Sequence, residues 1–540
     1  SRGRITYAHA AMSAATLPRA PVPRFATAPR VRRTTRAIPG RTVFTRAKAS
    51  LSPSMPLAPE LPLPDFLKRP FRDVTERLEK AFPVDAKKQV LRAQYTTAVG
   101  VRLAFFLSQG VLSSRVSGSS TIDGAAAAAA IVKAVLDTEP RAKIPDKDSN
   151  LGNIVRNAAD GRELSPDEAA EVSQFLNQHL TCIVNLFRDE LQHLENGVYK
   201  FPYDLNPATT PKTQWNPLEV FSLSTETLTD QGFVRERRSA KNGQDLLNDF
   251  SPDPNRYPAY YLQNFHYQTD GWLSTRSARL YDFQVETLFL GSADTMRRQV
   301  LPYVSEWMRE FHDKNGGENG AGAEFLDVAS GTGRFLTFLR DNWPCANYTA
   351  LELSPYYLEA TRVNNERFIS GKDEERTGSK QKNGSLTLVE ANCENMPFPD
   401  AKFDAVSNVY LFHEMPPAAR RAAAAEYARV LKPGGKLFFV DSAQVGDGKF
   451  LGMEKAFDQA LERFPAFNHE PYYKDYSVCD LEKLFGEFGF VLESSTVAWV
   501  SKCWCFTKAG NGTENAGASS QASVSEVPVT PREVVLPTLV

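Results

Sequence analysis

A short turn carries the first residues that could do chemistry. Residues 327–333 (DVASGTG) follow the apolar run Phe325–Leu326, and Phe335, Leu336 and Leu339 then recur at helical spacing. This pattern predicts a buried strand over 325–329, a glycine turn and a helix. Backbone N–H groups and a helix N-terminus would face a polar or anionic ligand there, and glycine lets that ligand approach the backbone. The candidate contacts are Asp327, Ala329, Ser330, Gly331 and Gly333.

An acidic residue follows at a diagnostic distance. Glu352 ends the next predicted strand, about 20 residues after the turn, and Leu353 comes directly after it. A carboxylate at that place can accept hydrogen bonds from both hydroxyls of a ribose. Leu336 stands where a dinucleotide-binding motif has its third glycine. The pair of features therefore favours a nucleoside-containing cofactor and makes NAD the weaker alternative.

Three later segments bear a family resemblance. They are residues 390–406 (EANCENMPFPDAKFDAV), 408–416 (NVYLFHEMP) and 428–442 (ARVLKPGGKLFFVDS). Together with the turn, residues 324–507 resemble the class I S-adenosylmethionine-dependent methyltransferases, notably the group that includes the ubiquinone/menaquinone C-methyltransferases. The resemblance implies an α/β fold, a Rossmann-like seven-stranded sheet with an antiparallel last strand, preceded here by a mostly α-helical domain. It also implies S-adenosyl-L-methionine as cofactor.

The same resemblance implies roles for individual residues. The turn would surround the methionine part of the cofactor, and Glu352 would bind its ribose. Asn392 and Cys393 would meet the adenine, and Tyr410 would lie beside the site of methyl transfer. Two positions depart from the family pattern, because Ala329 replaces a usual glycine and Asn392 a usual aspartate. Alanine should be tolerated there if its φ is negative, and asparagine keeps an acceptor while losing a charge.

The sequence gives weaker signals for the residues that would bind the methyl acceptor. Methyl transfer from a sulfonium needs mainly in-line positioning, but a phenol or enol acceptor also needs a base. His413 and Glu414, just after the fourth predicted strand, are candidates for that base, and the alternative is that His413 only packs or caps a turn. An aromatic stretch that includes Tyr267, Asp270 and Trp272, and the later Tyr473, are candidates for binding the substrate. These residues either line a substrate pocket or pack at an interface.

The elements that must position these residues alternate between strand and helix, which predicts a parallel sheet covered on both faces. Further strands are predicted over 348–353, 386–390, 403–409, 436–441, 490–500 and 502–507, and the tight turn at the end makes the last strand antiparallel. Before the sheet, a helix should begin at Ser165, residues 205–258 should form loops and short helices, and 283–311 should be helical. We predict a transit peptide over 1–59, a helical extension over 60–290, the methyltransferase domain over 291–508 and a disordered tail over 509–540.

Charge and cysteine usage bound the function classes. Residues 1–59 hold 11 of the 63 Lys and Arg and no acid, so the remaining chain carries 52 cations against 64 acids. Its acidity argues against nucleic acid as the main partner, and the acid-free Arg- and Ser-rich segment is typical of an organelle transit peptide, chloroplast rather than mitochondrion. No apolar run reaches the length of a membrane span, so peripheral membrane contact stays open. The sequence also leaves the oligomeric state open.

Metal binding is not expected. The six cysteines are scattered without C-x-x-C spacing, and Glu190-x-x-His193 occurs once where a di-iron bundle needs two copies; we predict a solvated helix face there. The leading hypothesis is thus a plastid methyltransferase acting on a small molecule, for example an aromatic or prenylated quinol. Alternatives are a protein or lipid methyltransferase and a non-catalytic cofactor-binding or assembly factor.

Overall fold

The computed structural model describes residues 84–116, 165–206, 217–240, 243, 256–369 and 384–510. All of them belong to one compact unit, and the second unit, Ala15–Phe82, lies wholly outside them. The predicted transit peptide and nearly all of the predicted tail also lie outside the described residues. The domain boundaries stay predictions.

One seven-stranded sheet organises the described residues. Its order is β3-β2-β1-β4-β5-β7-β6, with β1 to β5 parallel and β7 antiparallel to both of its neighbours. This confirms the predicted fold class. The strands are β1 (Glu324–Val328), β2 (Asn347–Glu352), β3 (Leu386–Glu390), β4 (Phe403–Val409), β5 (Leu431–Ser442), β6 (Phe490–Ala498) and β7 (Ser501–Lys508).

Helices precede the sheet and connect its strands. They are α1 (Val84–Val116), α2 (Pro166–Glu195), α3 (Pro217–Ser239), α4 (Thr275–Leu288), α5 (Ala293–Arg298), α6 (Leu301–Asn315), α7 (Arg334–Asn342), α8 (Pro355–Ile369), α9 (Pro417–Val430), α10 (Gly448–Leu451), α11 (Glu454–Asn468), α12 (Tyr473–Tyr476) and α13 (Leu481–Gly486). None of the helices within the described ranges is both long and apolar enough to cross a membrane.

Two helix predictions are confirmed and one is wrong. The segment 283–311 is helical as predicted, in three helices, and the chain turns at Gly291 with φ +82° after α4 has ended. The loops and short helices expected over 205–258 instead include the 23-residue helix α3. Helix α2 begins at Ser165 as predicted, since the Ser165 hydroxyl accepts the Glu168 N–H and the Glu168 carboxylate accepts the Ser165 N–H.

Alternating side chains of the strands build a core on each face of the sheet. Phe325 and Phe438 pack with the preceding helices, through residues such as Met296. Their chain neighbours Leu326 and Phe439 pack with α9 and the last helices on the opposite face. The preceding helices therefore share one apolar core with the sheet.

A buried ion network fastens these helices to the sheet. Glu190 is 0% exposed and accepts hydrogen bonds from Arg298 at 2.5 and 3.0 Å and from the Tyr95 hydroxyl at 2.6 Å. The prediction of a solvated helix face at Glu190 is therefore wrong. The same network continues through Asp294, whose carboxylate pairs with Arg334 at the start of α7. A charge so deeply buried is tolerated only because it is paired and hydrogen-bonded.

Candidate functional site

The glycine turn is closed by its own backbone. The Ser330 N–H donates to the Leu351 carbonyl at 3.0 Å, and the Gly333 N–H donates to the Ser330 carbonyl at 2.8 Å. Gly333 has φ +72°, and a Cβ there would lie 2.8 Å from Thr361 Cγ2. Only glycine fits that position, because both the backbone conformation and the contact with α8 exclude a side chain.

Ala329 does not meet the condition set for it from the sequence. Its φ is +52°, in the left-handed region that costs an L-residue about 1–2 kcal/mol. The family's usual glycine would adopt this conformation without that cost. The condition under which alanine should be tolerated is therefore not met, and the backbone at Ala329 is strained.

Glu352 is joined directly to the turn. One carboxylate oxygen accepts the Gly331 N–H at 2.9 Å and the other accepts the Ser354 N–H at 2.8 Å. Burial raises the pKa of Glu352 to about 7 despite these hydrogen bonds. Each oxygen keeps a further lone pair for a ligand donor. The neighbouring Leu353 instead packs against the small apolar cluster of Tyr257, Leu262 and Leu273.

Asp327 presents an oxygen without a donor. Its side chain is 2% exposed, and one oxygen accepts the Ser407 hydroxyl at 2.6 Å. The other oxygen has no hydrogen-bond partner among the described residues. Burial, with the Glu352 charge nearby, raises the pKa of Asp327 to about 7. A buried acceptor of this kind is suited to a donor group of a ligand.

The loop after β3 engages its own polar groups. The Asn392 side-chain oxygen accepts the Glu394 N–H at 2.9 Å, and the Tyr260 hydroxyl donates to the Glu394 carboxylate at 2.8 Å. Cys393 is buried in the apolar cluster that holds Met396, and burial raises the pKa of its thiol. Asn392 thus uses one acceptor lone pair within the loop and retains another.

Aromatic rings surround His413 after β4. The ring centroids of Tyr410, Tyr473 and Tyr476 lie 6.5, 5.9 and 6.1 Å from that of His413. Tyr410 has φ +59°, and its hydroxyl bonds that of Ser501 at 2.6 Å. The guanidinium of Arg297 lies 5.7 Å from the centre of the Tyr410 ring. The structure therefore brings the predicted residues Tyr410, His413 and Tyr473 together.

Acidic and histidine side chains next to His413 contact one another in a row. His413 Nδ1 lies 2.5 Å from Asp441, and His413 Nε2 lies 3.6 Å from Glu414 Oε1. That Glu414 oxygen is 2.8 Å from His266 Nε2, and His266 Nδ1 is 3.1 Å from Glu470. We call these five residues the acid–histidine chain. It connects the segment before α4, the turn after β4, the end of β5 and the end of α11.

The charges in this chain stabilise one another. Burial opposes the charged form of both histidines, but Glu414 and Glu470 raise the pKa of His266 to about 10. Asp441 and Glu414 likewise raise the pKa of His413 well above its usual value. Burial would raise the pKa of Glu414, but the two histidines lower it to about 2. The carboxylates therefore favour the protonated form of both histidines, which is not the form that acts as a base. The role of His413 as a base stays a prediction.

The other predicted substrate residues contact neighbouring groups of the protein, and their role in binding substrate stays a prediction. Tyr267 stacks on His469 with ring centroids 5.0 Å apart, and Asp270 accepts the Ser274 hydroxyl at 2.9 Å. The Trp272 carbonyl accepts the Ser354 hydroxyl at 2.5 Å. The structure does not join Tyr267 or Asp270 to the acid–histidine chain through a side-chain contact of their own.

Sequence reasoning missed Asp282, Asp441 and Glu470. Asp441 lies at the carboxyl end of β5, on the same sheet edge as Tyr410, since Val409 pairs with Val440. Its place at the end of a predicted parallel strand was a usable signal. Asp282 accepts the Thr332 hydroxyl of the turn at 2.9 Å. Among the described residues, no three His, Cys, Asp or Glu are arranged to hold a metal ion.

Comparison with known proteins agrees with this geometry. Residues 326–439 match a family model described as a methyltransferase domain. S-adenosylmethionine is the cofactor of such a domain, and the residues fit it: Glu352 keeps free lone pairs, Asp327 keeps an unpaired oxygen, and Gly331 leaves room for approach to the backbone, since a Cβ there would meet nothing closer than 4.0 Å.

Two relatives show how far the similarity extends. A ubiquinone/menaquinone biosynthesis C-methyltransferase from Rhizobium leguminosarum is 34% identical over 23% of this chain and 43% of its own. An uncharacterized methyltransferase from Geobacillus kaustophilus is 25% identical over 38% of this chain and 96% of its own. The chain thus spans less than half the length of the first of these curated relatives.

Solved structures add little. The magnesium protoporphyrin IX methyltransferase of Synechocystis PCC 6803, solved with bound S-adenosylhomocysteine, is 15% identical and covers 39% of this chain and 83% of its own, with a TM-score of 0.27. A TM-score this low supports no argument about function.

Proposed function

We propose that the protein transfers a methyl group from S-adenosylmethionine to a small, hydroxylated aromatic acceptor, such as a prenylated quinol. The observation that carries the proposal is the hydrogen bond between Glu352 and the Gly331 N–H, which joins the ribose-binding acid to the glycine turn inside the matched domain. When bound, S-adenosylmethionine supplies a methyl group already activated on a sulfonium. The protein therefore needs mainly to bind, orient and exclude water.

The chain's own residues suit those tasks. Glu352 and the backbone of the turn hold the polar parts of the cofactor, and the buried Asp327 oxygen accepts one of its donors. Tyr410, Tyr473 and Tyr476 form an aromatic wall beside His413. Aromatic walls favour a flat, apolar acceptor. Relatives named as ubiquinone/menaquinone C-methyltransferases support the same kind of acceptor, although only part of their length is matched.

Location and alternatives complete the proposal. The acid-free Arg-rich residues 1–59 support import into a plastid, which a fusion of these residues to a fluorescent protein tests.

A protein or lipid methyltransferase and a non-catalytic factor remain the competing functions. All of these functions share the cofactor site. They differ in that a non-catalytic factor would bind the cofactor without transferring its methyl group.

Two assays separate these functions. Isothermal titration calorimetry with S-adenosylhomocysteine should show binding, and NAD should show none. Radiolabelled methyl transfer should then reach a quinol in an organic extract rather than protein or phospholipid. Absence of binding at millimolar S-adenosylhomocysteine would exclude every cofactor-dependent function. Label found only in protein would replace the small-molecule proposal.

A further inference from the structure

We propose that residues 256–274 form a cover over the cofactor site, and that His266 is the latch that keeps this cover closed. We call the segment the strap. The proposal rests on the proposed function, because it concerns how S-adenosylmethionine and S-adenosylhomocysteine enter and leave their site. It adds a step in which the strap opens for each exchange.

The strap runs along the edge of the sheet where the parallel strands end. The Tyr260 hydroxyl donates to Glu394 at 2.8 Å, in the loop after β3. Six residues later, His266 Nε2 lies 2.8 Å from Glu414 Oε1, in the turn after β4. Strands β2 and β1 lie between β3 and β4, and six residues, which span at most about 20 Å, are too few for a detour. The strap therefore crosses the carboxyl ends of β2 and β1.

The strap then returns to the cofactor end of the site. The Trp272 carbonyl accepts the Ser354 hydroxyl, two residues after the end of β2. Leu273 belongs to the apolar cluster that packs against Leu353, and Leu353 directly follows Glu352. Both contacts hold the strap against the residues next to the acid that would bind the ribose.

The cofactor residues beneath the strap are closed off from solvent. Asp327 is 2% exposed and Glu352 is 7% exposed. A cofactor that arrives from solution can reach these carboxylates only if part of the protein moves. Strands β1 and β2 are each paired on both sides, so they are the wrong part to move. The strap is the alternative, because it belongs to no strand and leaves the sheet intact when it opens.

The strap is attached chiefly through side chains, and its backbone is strained. His266, Tyr267 and Asp270 have φ of 54°, 54° and 66°. Non-glycine residues keep such a conformation only where surrounding contacts impose it. Gly271, with φ 52°, follows directly before α4. Opening would relieve this strain, and Asp270 and Gly271 provide a position at which the chain can turn.

His266 is the attachment best suited to be the latch. Its two ring nitrogens lie 2.8 Å from Glu414 and 3.1 Å from Glu470, so it joins the strap to the turn after β4 and to the segment after α11. Both carboxylates are buried. Arg256 also pairs with Glu390, but both of these side chains are exposed. A pair with a buried carboxylate is screened less by water than an exposed pair and therefore holds more firmly.

A latch and a ligand contact differ in their kinetic effects. The contacts of the strap join protein groups to one another, so loosening them favours the open form equally with and without cofactor. Association and dissociation both pass through the open form, and both should become faster while the dissociation constant stays nearly unchanged. Loss of a direct contact with the cofactor instead raises the dissociation rate and weakens binding.

The first test measures both rate constants for S-adenosylhomocysteine by surface plasmon resonance on the immobilised full chain. His266→Gln should raise each rate constant at least fivefold and change the dissociation constant less than threefold. Tyr260→Phe, which removes the hydroxyl bonded to Glu394, should act in the same direction. His312→Gln, on α6, is the matched control and should change neither rate. Unchanged rates in His266→Gln, or a rise in the dissociation rate alone, would show that His266 is not a latch.

A reversible cross-link tests the cover without weakening it. Gln263 Nε2 donates to the Tyr472 hydroxyl at 2.8 Å, so these side chains face each other between the strap and the segment before α12. Gln263→Cys combined with Tyr472→Cys, joined by a bifunctional methanethiosulfonate, should exchange S-adenosylhomocysteine at least tenfold more slowly. Dithiothreitol should restore the rate. Gln263→Cys alone, treated with the same reagent, controls for reaction at the native cysteines.

The outcomes separate this proposal from the proposed function. If the cross-linked protein, verified by mass spectrometry, exchanges the ligand as fast as the reduced protein, the strap is not a cover although the cofactor site stands. If S-adenosylhomocysteine fails to bind the wild-type protein at equilibrium, the proposed function itself is wrong. Thermal melting identifies loss of fold in His266→Gln, and the cross-link then decides.

Discussion

The Thr332 hydroxyl of the glycine turn donates to both oxygens of the Asp282 carboxylate at 2.9 Å, so helix α4 holds the cofactor turn directly. Both residues are buried, and they lie 50 positions apart in the chain. The helical segment before the sheet therefore supports the glycine turn directly.

Thr332→Val removes this donor from a buried carboxylate. We expect the free energy of unfolding to fall by about 1–3 kcal/mol, because a buried carboxylate loses one hydrogen-bond donor. Affinity for S-adenosylhomocysteine should fall as well, because the turn is no longer held in its binding conformation. Urea denaturation and calorimetry measure the two effects. Thr225→Val on the exposed face of α3 is the control; equal effects from both variants would contradict a special role for the turn.

Ala329→Gly should relieve strain. A left-handed alanine costs about 1–2 kcal/mol, while glycine costs about 0.5–1 kcal/mol in backbone entropy, so the variant should gain up to about 1 kcal/mol in stability. Affinity for S-adenosylhomocysteine should stay equal or rise. Ala350→Gly, in the middle of β2, is the matched control and should destabilise. A loss of stability in both variants would show that the φ of Ala329 is not strained in solution.

Glu352→Ala should abolish most cofactor binding. Hydrogen bonds to a carboxylate contribute about 1.5–3 kcal/mol each, so losing two of them should weaken S-adenosylhomocysteine by about 100-fold or more. Glu390 ends the adjacent strand β3 opposite Glu352 but pairs with Arg256 at the surface. Glu390→Ala should therefore bind normally. Unchanged affinity in Glu352→Ala would refute its assignment to the ribose.

The acid–histidine chain should make stability depend on pH. The pKa of His266 is raised to about 10 in the folded protein, so its contribution is complete below its unfolded pKa of about 6.5 and is lost as pH rises toward 10. The pKa of Glu414 is lowered to about 2, so its contribution is lost as pH falls from about 4.5 toward 2. The difference in the free energy of unfolding between wild type and His266→Gln, which we call the gap, should thus be largest between about pH 4.5 and 6.5.

Denaturation of both proteins over a pH series measures that gap. His312 is a useful comparison, because burial lowers its pKa. The gap for His312→Gln should change in the opposite direction, growing as pH rises through the range near 6. A gap for His266→Gln that does not vary with pH would show that the pKa of His266 is the same in the folded and unfolded protein.

Glu190→Gln tests the buried network. The substitution leaves Arg298 with a buried charge and a weaker partner, and breaking one side of a buried ion pair costs about 3–5 kcal/mol. The amide keeps one acceptor, so we expect about 3 kcal/mol of destabilisation in urea. Glu168→Gln, at the exposed first turn of the same helix, should cost less than about 1 kcal/mol. A small effect of Glu190→Gln would show that Arg298 finds other acceptors.

Local patterns in the sequence were sufficient for the sheet and the cofactor turn. Strands β3 and β4 occur at the predicted residues, and β1 and β2 within one residue at each end, because short apolar runs and the glycines between them are local features of the sequence. The antiparallel last strand followed from a turn too short for a crossover. The break at Gly291 between α4 and α5 was not predicted, although glycine is a local signal for the end of a helix.

The order of residues in the chain determined the turn, the acid that follows it and the strand-and-helix alternation, since each depends on spacing along the backbone. Only the tertiary structure decided that Ala329 is left-handed, that Glu190 is buried and that His266 reaches Glu414 across 148 positions. Those facts depend on how helices pack on the sheet. Packing places side chains beside partners that no local pattern identifies.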